Sequence, residues 1–449
     1  MGIHIGFVSL GCPKNQVDGE IMLNSLQRAG MTVETQPEQC DAVIINTCGF
    51  IESAKQEAID TILEFAAKKG QGRLKKLIVT GCLAERYFDD IRSEMPEVDA
   101  VVGLTGDRDI VSIVEGVLAG RDTSVHEPFR SFCLTGERTL FTPPYTAYLK
   151  IADGCDNRCA YCAIPMIRGR FVSRPMEDIV AEAEALVKGG VKELIVVAQD
   201  TTRYGLDLYK KLKLPELLQK LDAIPGVRWV RVLYCYPELI TDELIDTIKN
   251  GKHLCHYLDI PMQHSSEKVI RAMNRKFAGP QLLKLIEKLR EAIPDITLRT
   301  TLLTGFPGET QEDFENLTAF VKAAQIDRLG CFAFSAEEGT KAFSMPDQLP
   351  EEVKQHRAEI VGLLATEVSE RLAAARVGRV IECVCEGTDD SGRTVLRSCY
   401  DAPDIDTCVY LEDNESVPVG TFLPVTVTGT MGMDLLGRPV NATDSEGTP

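Results

Sequence analysis

IADGCDNRCAYCAIPMIRGR, residues 151–170, sets Cys155, Cys159 and Cys162 in a C-x3-C-x2-C triplet. Thiolates are the usual holders of iron–sulfur clusters, and three of them can take three corners of a 4Fe–4S cube. A structural zinc site is closed by a fourth protein ligand, and this loop supplies none. A cluster with three protein ligands keeps one iron open to a small molecule. A fully ligated electron-transfer cluster does not. Spacing alone leaves a zinc site, or three incidental buried thiols, as competing readings.

Around the triplet the chain alternates between apolar runs and helical periodicity. From Tyr145 onward AYLKIA, KELIVVAQD, VRWVRVLYCYP, HYLDIPMQ, ITLRTTLLTG and RLGCFAFS read as six strands. Helical patterns fall near residues 176–188, 215–221, 239–249, 267–273, 281–292 and 311–324. Six β/α units predict a partial (β/α)6 barrel over residues 145–375, open rather than closed eightfold. Active sites of such barrels lie at the C-terminal strand ends. Those ends carry the triplet, Gln199 and Asp200, Tyr234 and Tyr236, Gln263 and His264, and the GFPGET turn at 305–310.

Upstream, over residues 1–125, one pattern occurs three times: an apolar strand runs into a small turn ending in cysteine. IGFVSLGC ends at Cys12, AVIINTC at Cys48 and KLIVTGC at Cys82, each followed by a helical pattern such as 16–29 or 52–68. This predicts a doubly wound parallel sheet, whose C-terminal strand ends share one edge. Three cysteines distant in sequence then meet in space as a second three-thiolate site. Buried thiols at strand ends are the alternative. Residues 126–144 read as a linker.

Beyond a long helix from Glu351 to Arg376, VGRVIECVCEG, GRTVLRSCY, TCVYLE and TFLPVTVTGTM predict a small antiparallel β-barrel over residues 376–441. From Arg376 onward five arginines and no lysines face thirteen acidic residues, a balance of 5 − 13 = −8. Small barrels that bind RNA use basic grooves and stacking aromatics. This one has the opposite sign and only Tyr400, Tyr410 and Phe422. The surface is either a bland solvated one or a partner surface, and a partner surface of this sign suits a cationic protein better than a phosphate backbone. The polar end, 442–449, reads as a disordered tail.

The whole chain carries a net charge of −18 over 449 residues, with 44% hydrophobic and 26% charged content. That composition predicts a soluble, multidomain protein. It has no apolar run long enough for a membrane span and no signal peptide. Fifteen cysteines is an odd count, and most lie in apolar runs. A reduced, cytoplasmic, metal-binding protein fits better than a disulfide framework. The nine cysteines outside the two trios read as small hydrophobes.

These residues resemble the methylthiotransferases of the radical S-adenosylmethionine class, specifically the branch that modifies small-subunit ribosomal protein twelve. The resemblance rests on SLGCPKNQVDGE, INTCGFIESAKQEAI, TGCLAERY, ADGCDNRCAYCAIPMIRG, VAQDTTRYG, GFPGET and APDID, and covers almost the whole chain. Gly19 departs from the family, which more often has serine there. The resemblance implies an N-terminal cluster domain, a radical barrel and a C-terminal TRAM domain, OB-like in form. It implies two 4Fe–4S clusters, one on Cys155, Cys159 and Cys162 and an auxiliary one on Cys12, Cys48 and Cys82. S-adenosylmethionine would lie near Tyr161, Gln199, Gln263 and Thr304. The implied reaction puts a methylthio group on the β-carbon of an aspartate, with electrons from a reductant such as flavodoxin or ferredoxin. Neither a membrane nor direct nucleic-acid binding by the TRAM domain is expected. The rival readings are a tRNA methylthiotransferase acting on isopentenyladenosine, and a non-catalytic iron–sulfur scaffold.

Overall fold

The computed structural model describes residues 2–36, 39–70, 74–127, 132–412 and 416–440. The tail expected to be disordered lies outside them. The first sheet is parallel, in the order β2-β1-β3-β4-β5, from β1 (His4–Ser9), β2 (Thr32–Glu34), β3 (Ala42–Thr47), β4 (Lys76–Gly81) and β5 (Ala100–Val101). Successive side chains of a strand point to opposite faces. In β3, Val43 and Ile45 therefore pack with Ile62 and Phe65 of the helix Glu52–Lys68. Ala42 and Ile44 pack with Met22 and Leu26 of the helix Pro13–Arg28 and with Ile113 of the helix Ile110–Leu118. Both faces are covered, so the sheet is doubly wound. The short edge strands β2 and β5 escaped the sequence reading, because two or three residues carry no periodicity.

The second sheet is open and parallel, with its six strands side by side in chain order: β6 (Thr146–Lys150), β9 (Glu193–Val197), β10 (Trp229–Val232), β11 (Leu254–Asp259), β12 (Thr297–Thr304) and β13 (Arg328–Ala333). A two-stranded hairpin, β7 (Ala152–Asp153) and β8 (Val172–Ser173), brackets the triplet loop. The core between strands and helices is apolar, with Leu149, Val196, Val232, Leu258 and Leu302 on the outer face. The inner face is filled from both ends by the other domains. Val17 and Ile21 of the first helix, and Val384 and Ala402 of the C-terminal domain, join Ile195, Trp229 and Tyr257 in one cluster.

That C-terminal domain is a closed five-stranded barrel of β14 (Val380–Thr388), β15 (Thr394–Ser398), β16 (Val409–Leu411), β18 (Asp434–Pro439) and β17 (Phe422–Met431). Its pairings are antiparallel except β16 with β18, which is parallel. The sequence reading missed β18, whose LLGRP run breaks the strand pattern. The barrel plugs the N-terminal end of the β/α sheet. Glu193, at the start of β9, accepts bonds from Arg231 at 3.0 Å and from Arg397 at 2.5 and 3.1 Å, all three side chains being buried. Arg328 donates twice to Asp401, and the Tyr257 hydroxyl donates to Asp406 of the APDID segment at 2.6 Å. Glu382 accepts from Trp229 and Arg228.

The acidity of this domain is thus partly internal. Asp401 and Asp406 face barrel cations and donors rather than solvent, and Glu382, whose side chain stays 34% exposed, is paired with Arg228, so the balance of −8 overstates the free negative surface. Its aromatics are engaged as well. Phe422 meets Trp229 edge-on at 4.8 Å, Tyr400 lies under Arg376, and Tyr410 under Arg393.

The linker is packed where it is described. Thr139 and Phe141 donate backbone bonds to Glu20 of the first helix, and Leu134 enters the inner cluster.

Candidate active site at the seam of sheet edge and barrel mouth

The strands β1, β3 and β4 are neighbours, so their C-terminal turns lie side by side, and each carries one cysteine. Two glycines make the approach possible. Gly11 has φ +93°, and a Cβ on it would lie 2.6 Å from the Cβ of Cys48; Gly81 has φ +94°, and its Cβ would meet Thr47 O at 2.4 Å. Both distances are shorter than a real side chain tolerates, and both φ values belong to glycine. Hydrogen bonds stitch the turns together. Asn15 Nδ2 donates to Leu10 O (2.8 Å) and Thr47 O (3.3 Å), and Thr47 Oγ1 donates to Thr80 O (2.5 Å).

The Cys12 and Cys48 turns touch at Gly11, whose Cβ would lie 3.0 Å from Cys48 Sγ, and the Cys48 and Cys82 turns touch at Gly49, whose Cβ would lie 2.9 Å from Cys82 C, so the trio lies together. Burial pushes the Cys82 thiol up to about 12. Burial also raises Cys12, but the charges of Lys14 and Arg168, with backbone donors, outweigh it and hold that thiol below its ordinary value.

The triplet loop is gripped from several sides. Cys155 N donates to Gly169 O, and Ala160 N to Met273 O. Asp200 and Arg203 of the VAQDTTRYG segment hold the two ends of the Asn157 amide, at 2.8 and 2.7 Å. Asn274 Nδ2 donates to Arg158 O. Arg275 donates to Pro261 O (2.5 Å), its Nη1 lies 3.9 Å from Cys159 Sγ, and its guanidinium stacks 4.1 Å over Tyr236. Burial pushes Cys155 up to about 11 and Cys162 higher still.

The two trios share one seam. Cys82 packs with Leu104 of its own domain and with Ala163 and Ile167, which directly follow Cys162. Arg168, 2% exposed, donates to Asp18 (2.9 Å), Asp153 (2.8 Å) and Asn15 Oδ1 (3.2 Å), and its charge acts on Cys12, Cys48 and Cys82. Lys150 at the end of β6 pairs with the same Asp18 and Asp153. A second clasp closes on Glu337, which meets Lys55 at 3.1 Å and Arg86 at 2.9 Å. Burial of charges at this density is stable only because each is paired.

The sequence-derived pocket residues divide. Gln199 reaches Asp153 at 3.0 Å and keeps a buried, unpartnered Oε1. Gln263 holds φ +70° at the end of β11, and Tyr234 holds φ +63° at the end of β10. Such left-handed residues concentrate at functional sites. Tyr161 lies beside Cys159, Cys162 and Arg275, and burial raises its phenol. Thr304 is not brought to the mouth. It shares the outer face with Leu302, is fully buried, and donates to Lys354 O at 3.1 Å. Strand alternation puts Thr301 and Leu303 on the inner face instead. Thr304→Val is therefore expected to cost about 1 kcal/mol of stability and leave S-adenosylmethionine affinity unchanged, as denaturant titration and ligand binding would report.

The GFPGET turn is also an internal tie: Glu309 binds Gly305 N, Arg357 and the edge of His264. Lys14, Arg168 and Arg275, by contrast, were not singled out from sequence and line the seam, where Lys14 meets the Tyr234 ring. Only the motifs that contain Lys14 and Arg168 hinted at them.

Three thiols apiece are a donor set that an iron–sulfur cluster can take. All fifteen cysteines are free thiols. Among the described residues no three His, Cys, Asp or Glu side chains close on one metal. A cube takes one thiolate at each of three irons and asks for no such convergence.

Family models match in the same three blocks: an uncharacterized protein family, UPF0004, over residues 4–103, the Radical SAM superfamily over 149–321, and the TRAM domain over 377–440. The chain is 49% identical to a ribosomal protein uS12 methylthiotransferase RimO from Pelotomaculum thermopropionicum, covering 98% of this chain and 100% of that one. A protein of the same name from Clostridioides difficile is 45% identical, over 97% and 98% of the two chains. The chain belongs to the RimO family. Membership of the Radical SAM superfamily carries with it a 4Fe–4S cluster and S-adenosylmethionine, and makes this RimO-family chain a transferase dependent on that cofactor. A solved radical S-adenosylmethionine methyltransferase, TsrM from Kitasatospora setae, has the same fold with a TM-score of 0.56 at 15% identity, over 85% of this chain and 81% of that one. Among the described residues, no helix of this RimO-family chain is long and apolar enough to cross a membrane.

Proposed function

We propose that the protein transfers a methylthio group to the β-carbon of an aspartate of ribosomal protein uS12, at the seam between sheet edge and barrel mouth. The observation that carries this reading is the placement of two three-cysteine sets on opposite sides of one buried seam. In this reading Cys155, Cys159 and Cys162 hold the radical cluster, and Cys12, Cys48 and Cys82 an auxiliary one. When bound, the first supplies an electron and an open iron for reductive cleavage of S-adenosylmethionine, and the second supplies sulfur beside the activated carbon.

The chain's own part is positioning. Asp200 and Arg203 fix the triplet loop through Asn157, and Gln199, Gln263 and Tyr161 line the cofactor side. The Arg168–Asp18–Asp153–Lys150 set keeps the two halves in register and water out. An unactivated aspartate β-hydrogen is beyond any side-chain base at neutral pH. A cofactor must carry that step, with the protein orienting groups and excluding side reactions.

The relatives' names support uS12 as acceptor. The tRNA alternative shares the chemistry, and the packing of Phe422 on Trp229 and of Tyr400 on Arg376 speaks against base stacking there. Mass spectrometry decides, after anaerobic incubation of reconstituted enzyme with reductant, S-adenosylmethionine and each acceptor in turn. A methylthio gain is expected on the aspartate-containing uS12 loop peptide and none on an isopentenyladenosine tRNA stem-loop. A gain on the RNA alone would replace this reading.

A further inference from the structure

Buried cations in this protein have carboxylate partners almost without exception. Lys55, Lys150, Arg168, Arg174, Arg231, Arg328, Lys354, Arg357, Arg376 and Arg397 are all buried and all within ion-pair distance of an Asp or Glu. Among the described residues two buried cations depart from this pattern: Lys14 and Arg275. Both sit at the seam, one beside each cysteine trio. Arg275 is satisfied otherwise, by Pro261 O and the sulfur of Cys159.

Lys14 is different. It is 6% exposed and two residues beyond Cys12, and its ammonium lies 3.5 Å from the centroid of the Tyr234 ring, across the domain boundary. Tyr234 is itself held at φ +63° at the mouth. A lysine head has three donors and no acceptor, and a ring face with its hydroxyl leaves donors over. Burying an ammonium without a carboxylate is costly, and the acidic groups that act on Lys14 are the Tyr234 phenol and the Cys12 thiol. The protein bears that cost where the sheet edge at Cys12 meets the barrel mouth at Tyr234.

We infer that Lys14 receives the side-chain carboxylate of the acceptor aspartate, fixing its β-carbon between the two cysteine trios. This rests on the reading of the acceptor proposed above and names the residue that selects it. The Tyr234 ring pre-positions the ammonium, so the carboxylate enters a site whose geometry exists before it binds. An asparagine in its place would offer a neutral oxygen and forfeit the charge-assisted bond.

The rival role for Lys14 is to offset the charge of the Cys12 trio and nothing more. A two-by-two comparison separates the roles. Reconstituted wild type and Lys14→Met are titrated with uS12 loop peptides carrying aspartate or asparagine, with iron content and cluster electron paramagnetic resonance recorded for each protein. Wild type is expected to bind the aspartate peptide about 10- to 100-fold more tightly, and Lys14→Met to bind the two within about threefold. Lys14→Gln, nearer in shape, gives the same comparison if Lys14→Met does not fold. An undiminished aspartate preference in both variants overturns the inference while leaving the proposed function intact. A wild type that methylthiolates neither peptide removes the acceptor reading, and the inference with it.

Discussion

Cys159→Ala is expected to abolish deoxyadenosine formation, whereas Cys82→Ala is expected to retain it and lose only the methylthio product. Each variant should fall to about half the iron of the reconstituted wild type. The asymmetry follows from where each cysteine sits. Cys159 lies in the loop fixed by Asn157, Asn274 and Arg275, beside the cofactor residues of the barrel. Cys82 lies at the end of β4 in the other domain, packed on Ala163 and Ile167 and facing Arg168, outside the triplet loop and the Gln199 side of the mouth. Nucleoside analysis and peptide mass spectrometry on the same reaction read both outcomes. Loss of deoxyadenosine in both variants would mean one cluster, not two.

The second large effect is structural. Arg168→Met is expected to destabilise the protein by about 3–5 kcal/mol, because Asp18 and Asp153 stay buried with only Lys150 to share. Both carboxylates come from different domains, so the loss should appear as premature separation of the N-terminal sheet from the barrel in denaturant. Arg168→Lys restores a charge but not the planar fork that reaches Asp18, Asp153 and Asn15 together, and should recover only part. The effect depends on pH in a definite direction. Burial raises the Asp153 carboxyl, but Arg168 and Lys150 draw it down to about 2, below its unfolded value. Its contribution is therefore whole above about pH 4 and is lost as pH falls through about 2. The gap between wild type and Arg168→Met should narrow over that window and stay constant from there to neutrality. A gap unchanged at low pH would show that Arg168 acts by packing rather than by charge.

Much of this site is written locally in the sequence. C-x3-C-x2-C fixes one trio within a single loop, and three strand-turn-cysteine repeats place the other on one sheet edge, since parallel strands end together. The central barrel strands β6, β9 and β10 declare themselves as apolar runs buried on both faces. What sequence does not show is pairing across long separations. Asp18 meets Arg168 across 150 residues, Arg86 meets Glu337 across 251, and Glu193 meets Arg397 across 204. No periodicity encodes such contacts, so the domain docking and the role of Arg168 emerge only in three dimensions.

Thr304 shows the opposite case, where available information went unused. Its parity with Leu302 and Thr300 on β12 already put it on the outer face, with Thr301 and Leu303 facing inward. Charge counting misled in another way. It treated Asp401 and Asp406 as surface, when they bind Arg328 and Tyr257 inside the domain interface.

In the function proposed above, one seam holds both the site of hydrogen abstraction and the source of sulfur. A uS12 loop peptide deuterated at the aspartate β-carbon tests it in one reaction, read by mass spectrometry of both products. The account predicts deuterium in the deoxyadenosine and a methylthio group on the same aspartate, in matching amounts. Methylthiolated peptide that keeps all its deuterium, or deuterated deoxyadenosine with no sulfur on the peptide, would contradict it.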